Sequence, residues 1–222
     1  MNSASERLPR RRDEARALFR NAILDAAEAV FAERGFHGAR IQDIAARARI
    51  AVGTVYNHFA QKDDVLSALL EERTEAMIAQ LRPAKDDPRA FEPRLRARFA
   101  RMLAYVEQHR AFFAVANEHG LFVGKPPPGA PAAVRKLPRV EKFKSAFRAL
   151  VEEGIAAGEL EPMDAGVLVR FLGGTLRAFM LSSLAEGDGD AAAHAGTVVD
   201  LFLRGAGRAG RRSARRSGAS SR

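Results

Sequence analysis

The residues of this chain best suited to recognising another molecule lie in the run Val52-Gly53-Thr54-Val55-Tyr56-Asn57-His58. If this segment is a short helix, Val55 turns inward, and Thr54, Tyr56, Asn57 and His58 leave hydrogen-bonding groups on one exposed surface. Gly53 has no Cβ, so the first turn can approach a phosphate backbone closely, with its amide directed at the anion as helix N-termini do. From Arg34 to Lys62 the charged residues are Arg34, Arg40, Arg47, Arg49 and Lys62 against Asp43, a local excess of +4. Polar groups that reach base edges, set among cations that meet phosphates, are the chemistry of reading duplex DNA.

Other chemistries lack their parts. There is no cysteine, which excludes disulfides, thiolate metal sites and thiol nucleophiles. His109 and His119 stand ten residues apart and His194 is remote, with no carboxylate at the helical spacing of a zinc site. No nucleophile, base and orienting group can be assembled from motifs. Gly173-Gly174 lies inside an apolar run and reads as close helix packing rather than a phosphate cradle. We therefore expect no enzyme activity, no metal and no cofactor.

The elements that must position the DNA-reading surface are helices. From Asp13 to Arg34 the apolar residues Leu18, Ala22, Ile23, Ala26, Ala27, Val30 and Phe31 recur at helical spacing. Gly35 follows where a left-handed C′ residue is least costly, and Phe36 can fold back as the apolar partner of that cap. Residues 41–48 make a second short helix, Arg49-Ile50-Ala51 a turn, and Val52 to His58 a third helix, the dimensions of a helix-turn-helix. Ile44, Ala45, Ala48, Ile50, Val55 and Phe59 supply the small or branched contacts between them. A longer helix opens at Gln61-Lys62-Asp63-Asp64, and prolines at 83, 88 and 93 mark a break. Beyond it, apolar stripes predict helices around 95–106, 111–117, 143–151, 164–184 and 191–203, with a Gly/Pro-rich loop from Gly120 to Pro138. No repeat and no convincing strand is found. The fold class expected is all-α, with an N-terminal three-helix helix-turn-helix DNA-binding domain and a C-terminal helical domain.

At Ile44-Ala45, at Gly53-Thr54-Val55-Tyr56-Asn57-His58-Phe59 and at Lys62 the chain resembles the tetracycline-repressor (TetR) family of one-component regulators, closely over residues 15–66 and beyond that in length and helical layout only. The resemblance implies that Thr54 and Tyr56 contact phosphate or base edges, that His58 and Lys62 contact the backbone, and that Gln42 opens the second helix beside a phosphate. Three positions depart from the family pattern. Arg40 stands where Thr or Ser caps the second helix, Arg49 where the turn often has Gly, and Ala51 where Ser or Thr caps the third. Each missing cap costs about 1 kcal/mol, and Arg49 is strained if its φ must be positive. Arg40 and Arg49 are candidates for additional phosphate contacts, whereas Arg47 is as readily an ion-paired surface residue.

The C-terminal domain is expected to dimerise and to bind an effector, because a single half-site is read with poor specificity. Val167, Leu168, Leu172, Leu176, Phe179, Ala195, Val198, Val199 and Phe202 lie on broad apolar faces of the last two helices. The resemblance implies that these build a four-helix bundle across a two-fold axis. It also implies a small-molecule pocket in the middle helices, for which Phe99, Met102, Tyr105, Phe113, Asn117, Phe143, Phe147, Phe171, Thr175 and Arg177 are the candidates, although a phenylalanine stripe is more often plain core than ligand wall. An apolar or aromatic effector would suit such walls. The expected partners are thus a palindromic double-stranded DNA operator, a second copy of the chain and an effector that releases the repressor from DNA. The alternatives are a dimer of the same fold that senses no small molecule, and a helical enzyme or carrier.

The net charge of +9 over 222 residues does not itself argue for DNA, because residues 1–12 carry +3 and residues 205–222 carry +6, the whole excess. We read 1–12 as a disordered basic arm, 13–60 as the DNA-binding domain, 61–82 as a connecting helix, 83–204 as the effector-binding and dimerisation domain, and 205–222 as a disordered basic tail. The start has no apolar h-region and no uninterrupted apolar run is long enough to span a bilayer, so a cytoplasmic, membrane-free protein is expected.

Overall fold

The computed structural model describes residues 7–82, 87–118, 139–186 and 191–206. Within them the chain is helical, with no β-strand among the described residues: α1 (Arg7–Gly38), α2 (Ile41–Ala48), α3 (Val52–His58), α4 (Lys62–Ala79), α5 (Phe91–Gln108), α6 (Arg110–Glu118), α7 (Arg139–Ala156), α8 (Ala165–Glu186) and α9 (Ala191–Ala206). Two compact units emerge, Met1–Thr74 with Ala111–Leu137, and Glu75–Arg110 with Pro138–Arg222. The expected loop from Gly120 to Pro138 and the basic tail beyond Ala206 lie outside the described residues.

In the first unit α1 packs on α2, and α2 on α3. Its core is built from Ile23, Leu24, Ala27, Val30 and Phe31 of α1, Ile41, Ile44 and Ala45 of α2, Val55 of α3, and Val65, Leu66, Leu69 and Leu70 of α4. Helix α1 starts at Arg7 rather than Asp13, with Pro9 in its first turn, where the missing N–H costs nothing. Leu18 and Ala22, read from periodicity as core residues, are exposed, Leu18 by 71%. Leu18 and Ala22 lie on the solvent side of this half of the helix, where Phe19 and Arg20 are the residues that approach α3 and α4. Gly35 adopts φ +66°, which a side chain rarely tolerates, and breaks α1 before a last single turn. Phe36 then folds back with its ring 5.6 Å from that of Phe31. A structural lock at this end comes from Lys62, whose ammonium donates to the carbonyls of Phe36 (2.6 Å) and Ala39 (2.8 Å) and sits 4.5 Å from the Phe36 ring centre.

Helix α6 belongs to this first unit and not, as the sequence division at residue 83 implied, with the helices that follow it. Phe112, Phe113 and Ala116 are buried, and Phe112, Val115 and Ala116 face Phe31, Phe36, Leu66 and Leu70 around an apolar cavity of about 10 Å³. That is room for about one water, with no polar wall to hold it.

The second unit packs α9 against α5 and α8, and α8 against α7. Leu95, Phe99, Met102, Leu103 and Val106 of α5 meet a core that includes Phe147, Val151, Leu168, Leu172, Leu176, Val198, Val199 and Phe202. Arg98 is only 2% exposed, and its charge is met by the Glu153 carboxylate, which accepts at 2.6 and 3.3 Å and also pairs with Arg94 at 2.6 Å. A buried guanidinium is tolerated only with such pairing. Helix α8 is long and apolar enough by composition to cross a membrane over Ala165–Ala185. Its inner positions, however, are filled by this core.

Candidate nucleic-acid interface

Helix α2 begins at Arg40, an extended N-cap residue whose side chain makes no capping bond. The other half of a capping arrangement is present, because the Asp43 carboxylate accepts from the Arg40 backbone N–H at 3.0 Å. Asp43 also pairs with Arg34 at 2.7 Å, so one carboxylate ties the start of α2 to the end of α1. From charge counting alone Asp43 reads only as a counter-charge to the local positive excess. Its signal was the acid three residues after the N-cap, masked because the cap itself was an arginine.

The turn between α2 and α3 requires a left-handed residue, and Arg49 supplies it at φ +56°, ψ +41°. It is the lone non-glycine with positive φ among the described residues. Ile50 N–H then bonds the Ala45 carbonyl at 3.1 Å, closing the helix end in a Schellman-type cap. Holding an L-residue there costs about 1–2 kcal/mol, so the strain anticipated for Arg49 is present. Ala51 caps α3 with backbone alone, its carbonyl accepting from Thr54 N–H at 2.9 Å.

Helix α3 is anchored by one residue of its own, Val55, which is fully buried, and by Phe59 at its end. Gly53, Tyr56 and Asn57 are exposed, and Thr54 and His58 half-buried, as are Val52 and the turn residue Ile50. A Cβ placed on Gly53 would meet nothing within 4 Å. The fold itself therefore does not need glycine at this position. Arg40, Gln42 and Arg49 are also exposed, and Arg40 and Arg49 have no salt-bridge partner among the described residues. These residues form one hydrogen-bonding and cationic surface on α2, the turn and α3.

Several cations counted toward the local excess are already engaged. Arg34 pairs with Asp43, and Arg47 bonds the Glu33 carboxylate, which settles Arg47 as an ion-paired residue of the α1–α2 contact. Lys62 directs its N–H groups at main-chain carbonyls of the α1 end, at 2.6, 2.8 and 3.4 Å. His58 lies 6.4 Å from the Phe19 ring and has its pKa pushed below 6.5, first by burial and then by the nearby guanidiniums of Arg16 and Arg20. Arg16 and Arg20 were not singled out from the sequence, where they read only as polar positions of α1.

The residues proposed for an effector pocket divide between the two units. Phe99, Met102 and Phe147 are buried core, with Phe99 and Phe147 edge-to-face at 6.2 Å. Phe113 and Asn117 sit on α6 in the first unit. Phe171 is 50% exposed, Arg177 is exposed, and the Thr175 hydroxyl donates to the Phe171 carbonyl at 2.8 Å. Tyr105 and Phe143 are half-buried. Among the residues expected to dimerise, Leu168, Leu172, Leu176, Ala195, Val198, Val199 and Phe202 are buried within their own chain, and Phe179 is half-buried. Val167, also among them, is exposed, and the outward face of α8 and its neighbourhood carries with it Met163, Phe171 and, on α9, Leu201. Gly174 and Ala178 continue that exposed row, and no atom lies within 4 Å of where a Gly174 Cβ would stand. Among the described residues, no cluster of three or more His, Asp or Glu side chains could hold a metal ion.

Comparison with known proteins agrees with this geometry. The model for "Bacterial regulatory proteins, tetR family" matches residues 23–69, the segment from the middle of α1 to α4. The HTH-type transcriptional repressor KstR2 of Mycobacterium tuberculosis is 26% identical over 154 residues, 69% of this chain and 75% of that protein. The HTH-type transcriptional activator FasR of Mycolicibacterium smegmatis is 32% identical over 106 residues, 48% of this chain and 46% of that one. Among solved structures, the transcriptional regulator FadR from Bacillus subtilis in complex with stearoyl-CoA superposes with a TM-score of 0.66 at 21% identity, covering 82% of this chain and 96% of that one.

Proposed function

We propose that the chain is a DNA-binding transcriptional regulator of the kind described as "Bacterial regulatory proteins, tetR family", whose model matches residues 23–69, and that it represses transcription as a homodimer on a palindromic operator. The observation that carries this reading is the surface of α3. A helix of seven residues buries Val55 and leaves Gly53, Tyr56 and Asn57 in solvent, with exposed Arg40 and Arg49 on the preceding elements. Thr54, Tyr56, Asn57 and His58 read the major groove; the backbone at Gly53 and the side chains of Arg40, Gln42 and Arg49 meet phosphates. Lys62 serves this surface from behind, by fixing α4 to the end of α1.

Dimerisation uses the outward row of Val167, Phe171, Gly174 and Ala178 on α8, together with Leu201 on α9. An exposed apolar stripe containing two small residues suits close packing against a second helix pair, and burying it accounts for the apolar composition of α8. The effector proposed is a molecule carrying a long apolar chain, the part that suits apolar and aromatic walls. The stearoyl-CoA in the FadR structure and the "Fatty acid metabolism regulator protein" of Bacillus subtilis among the relatives make long-chain acyl-CoA thioesters the first compounds to test. Coupling between effector and DNA is reciprocal and of the order of 1–3 kcal/mol, so each weakens the other by the same factor.

Selection of sequences from a random duplex library by the purified protein tests the reading. Recovery of a palindrome with two half-sites is the expected result; no enrichment would overturn it. Titration of the selected duplex with acyl-CoAs then tests the effector, because a compound that raises Tm without weakening DNA binding contradicts the coupling.

A further inference from the structure

The last residue of the reading helix is titratable. His58 closes α3 half-buried, with its ring centre 6.4 Å from that of Phe19 on α1 and 6.4 Å from that of Phe59, tilted at 48° and 39°. An imidazole with two aromatic neighbours gives up part of its water, which disfavours the charged form. The end of α3 acts the other way, because a cation at a helix C-terminus is favoured. Helix α3 has no other charged residue, and its other titratable group is the exposed Tyr56.

The neighbouring helices set the balance. Burial, followed by the guanidiniums of Arg16 and Arg20 on α1, holds the His58 pKa below 6.5. Arg20 is pinned by Glu72 of α4 at 3.0 Å and stands 5.9 Å from the centre of the Phe59 ring, while Arg16 is exposed. The Glu72 carboxylate therefore meets a guanidinium, and the charges acting on the imidazole are cations. In the free protein at neutral pH the ring is neutral, with one nitrogen a donor and the other an acceptor. A duplex reverses the field, since it carries one negative charge per about 1.7 Å of axis. An opposite charge nearby favours the imidazolium, which donates from both nitrogens and forms the stronger, charge-assisted bonds.

We propose that His58 takes up a proton as α3 docks on DNA and meets the duplex as an imidazolium, so that operator affinity rises as the pH falls. The inference rests on the DNA-binding reading above and adds a proton to it. The rise is confined to the window between the pKa of His58 in the free protein and its higher value in the complex. Within that window each protomer gains up to one proton on binding, and affinity gains up to about tenfold per protomer for each unit of pH. Below the window the ring is protonated in both states and the gain ends.

The probe is the palindromic duplex recovered by selection. Its binding to the full-length protein is followed by fluorescence anisotropy at constant ionic strength from about pH 6 to about pH 8, a range around the ordinary histidine pKa. Calorimetry in buffers of different ionisation enthalpy counts the protons taken up. The unaltered protein should bind more tightly as the pH falls and take up protons, and H58Q should lose that part of both effects. If H58Q and the unaltered protein show the same pH dependence and the same proton uptake, or the unaltered protein shows neither, His58 is not protonated on DNA, while the reading of α3 stands. If H58Q no longer binds the duplex, the His58 imidazole Hε1 resonance of the unaltered protein, assigned by its absence from free H58Q, is titrated instead. It should give a higher pKa in the complex than in the free protein; an equal or lower value overturns the proposal. If selection enriches no duplex, the proton linkage and the DNA-binding reading fall together.

Discussion

Substituting Gly53 by alanine separates what the fold needs from what DNA needs. Gly53 is exposed in the first turn of α3, and a Cβ there meets no atom within 4 Å. Glycine inside a helix costs about 0.5–1 kcal/mol relative to alanine, and the lower figure suits a first-turn position. G53A should therefore stabilise the protein by about 0.5 kcal/mol, or about 1–2 °C in Tm for a chain of this length. On DNA the added methyl holds the helix N-terminus away from the phosphate. A lost amide-to-phosphate hydrogen bond, at about 1.5–3 kcal/mol for a charged acceptor, weakens operator binding roughly ten- to a hundredfold. The assays are thermal unfolding at fixed protomer concentration and fluorescence anisotropy with the selected duplex. A fall in Tm would show that the fold itself uses the glycine. Unchanged affinity would refute the close approach of α3 to the backbone.

Other substitutions probe the remaining assignments. R49G removes a left-handed arginine at a saving of about 1–2 kcal/mol, less about 0.5–1 kcal/mol for the freer unfolded chain. Its urea midpoint should rise while the slope of log K against log salt falls by about 0.9 per protomer; a lower midpoint contradicts the strain. K62M breaks charge-assisted bonds to the α1 carbonyls and should destabilise by about 2 kcal/mol with the salt slope unchanged. A reduced slope with full stability would return Lys62 to the DNA. F171E puts charge in the exposed row of α8 and should yield monomers by sedimentation velocity; a persistent dimer would move the interface elsewhere. Because His58 titrates below 6.5 in the folded state, the folded protein binds fewer protons than the unfolded chain between those two pKa values. Its contribution to stability is thus complete above pH 6.5 and is lost as pH falls toward the folded pKa. H58Q should flatten the fall in unfolding free energy below pH 6.5, measured by urea titration across that range; an unaltered pH profile excludes His58 as its source.

Local order along the chain determined the helix-turn-helix. The spacing of Ile44, Ala45, Ile50 and Val55 places a buried seam, Gly35 marks a break that needs positive φ, and Arg49 occupies a turn position whose geometry follows from the two helices it joins. Such features depend on neighbours within a few residues, so periodicity and backbone sterics specify them. Charge counting was less informative, because Arg34, Arg47 and Lys62 all point toward DNA by sign alone. Only the tertiary structure decided that they are engaged by Asp43, by Glu33 and by the carbonyls of Phe36 and Ala39. The assignment of α6 to the first unit, and the choice of which apolar residues of α8 face inward, were decided in the same way. A helix that is apolar on most of its circumference carries no stripe to indicate its neighbour. For Leu168, Leu172 and Leu176 against Val167 and Phe171, burial depends on packing with α7 and α9, whose partners are set by the folded chain and not by spacing along it.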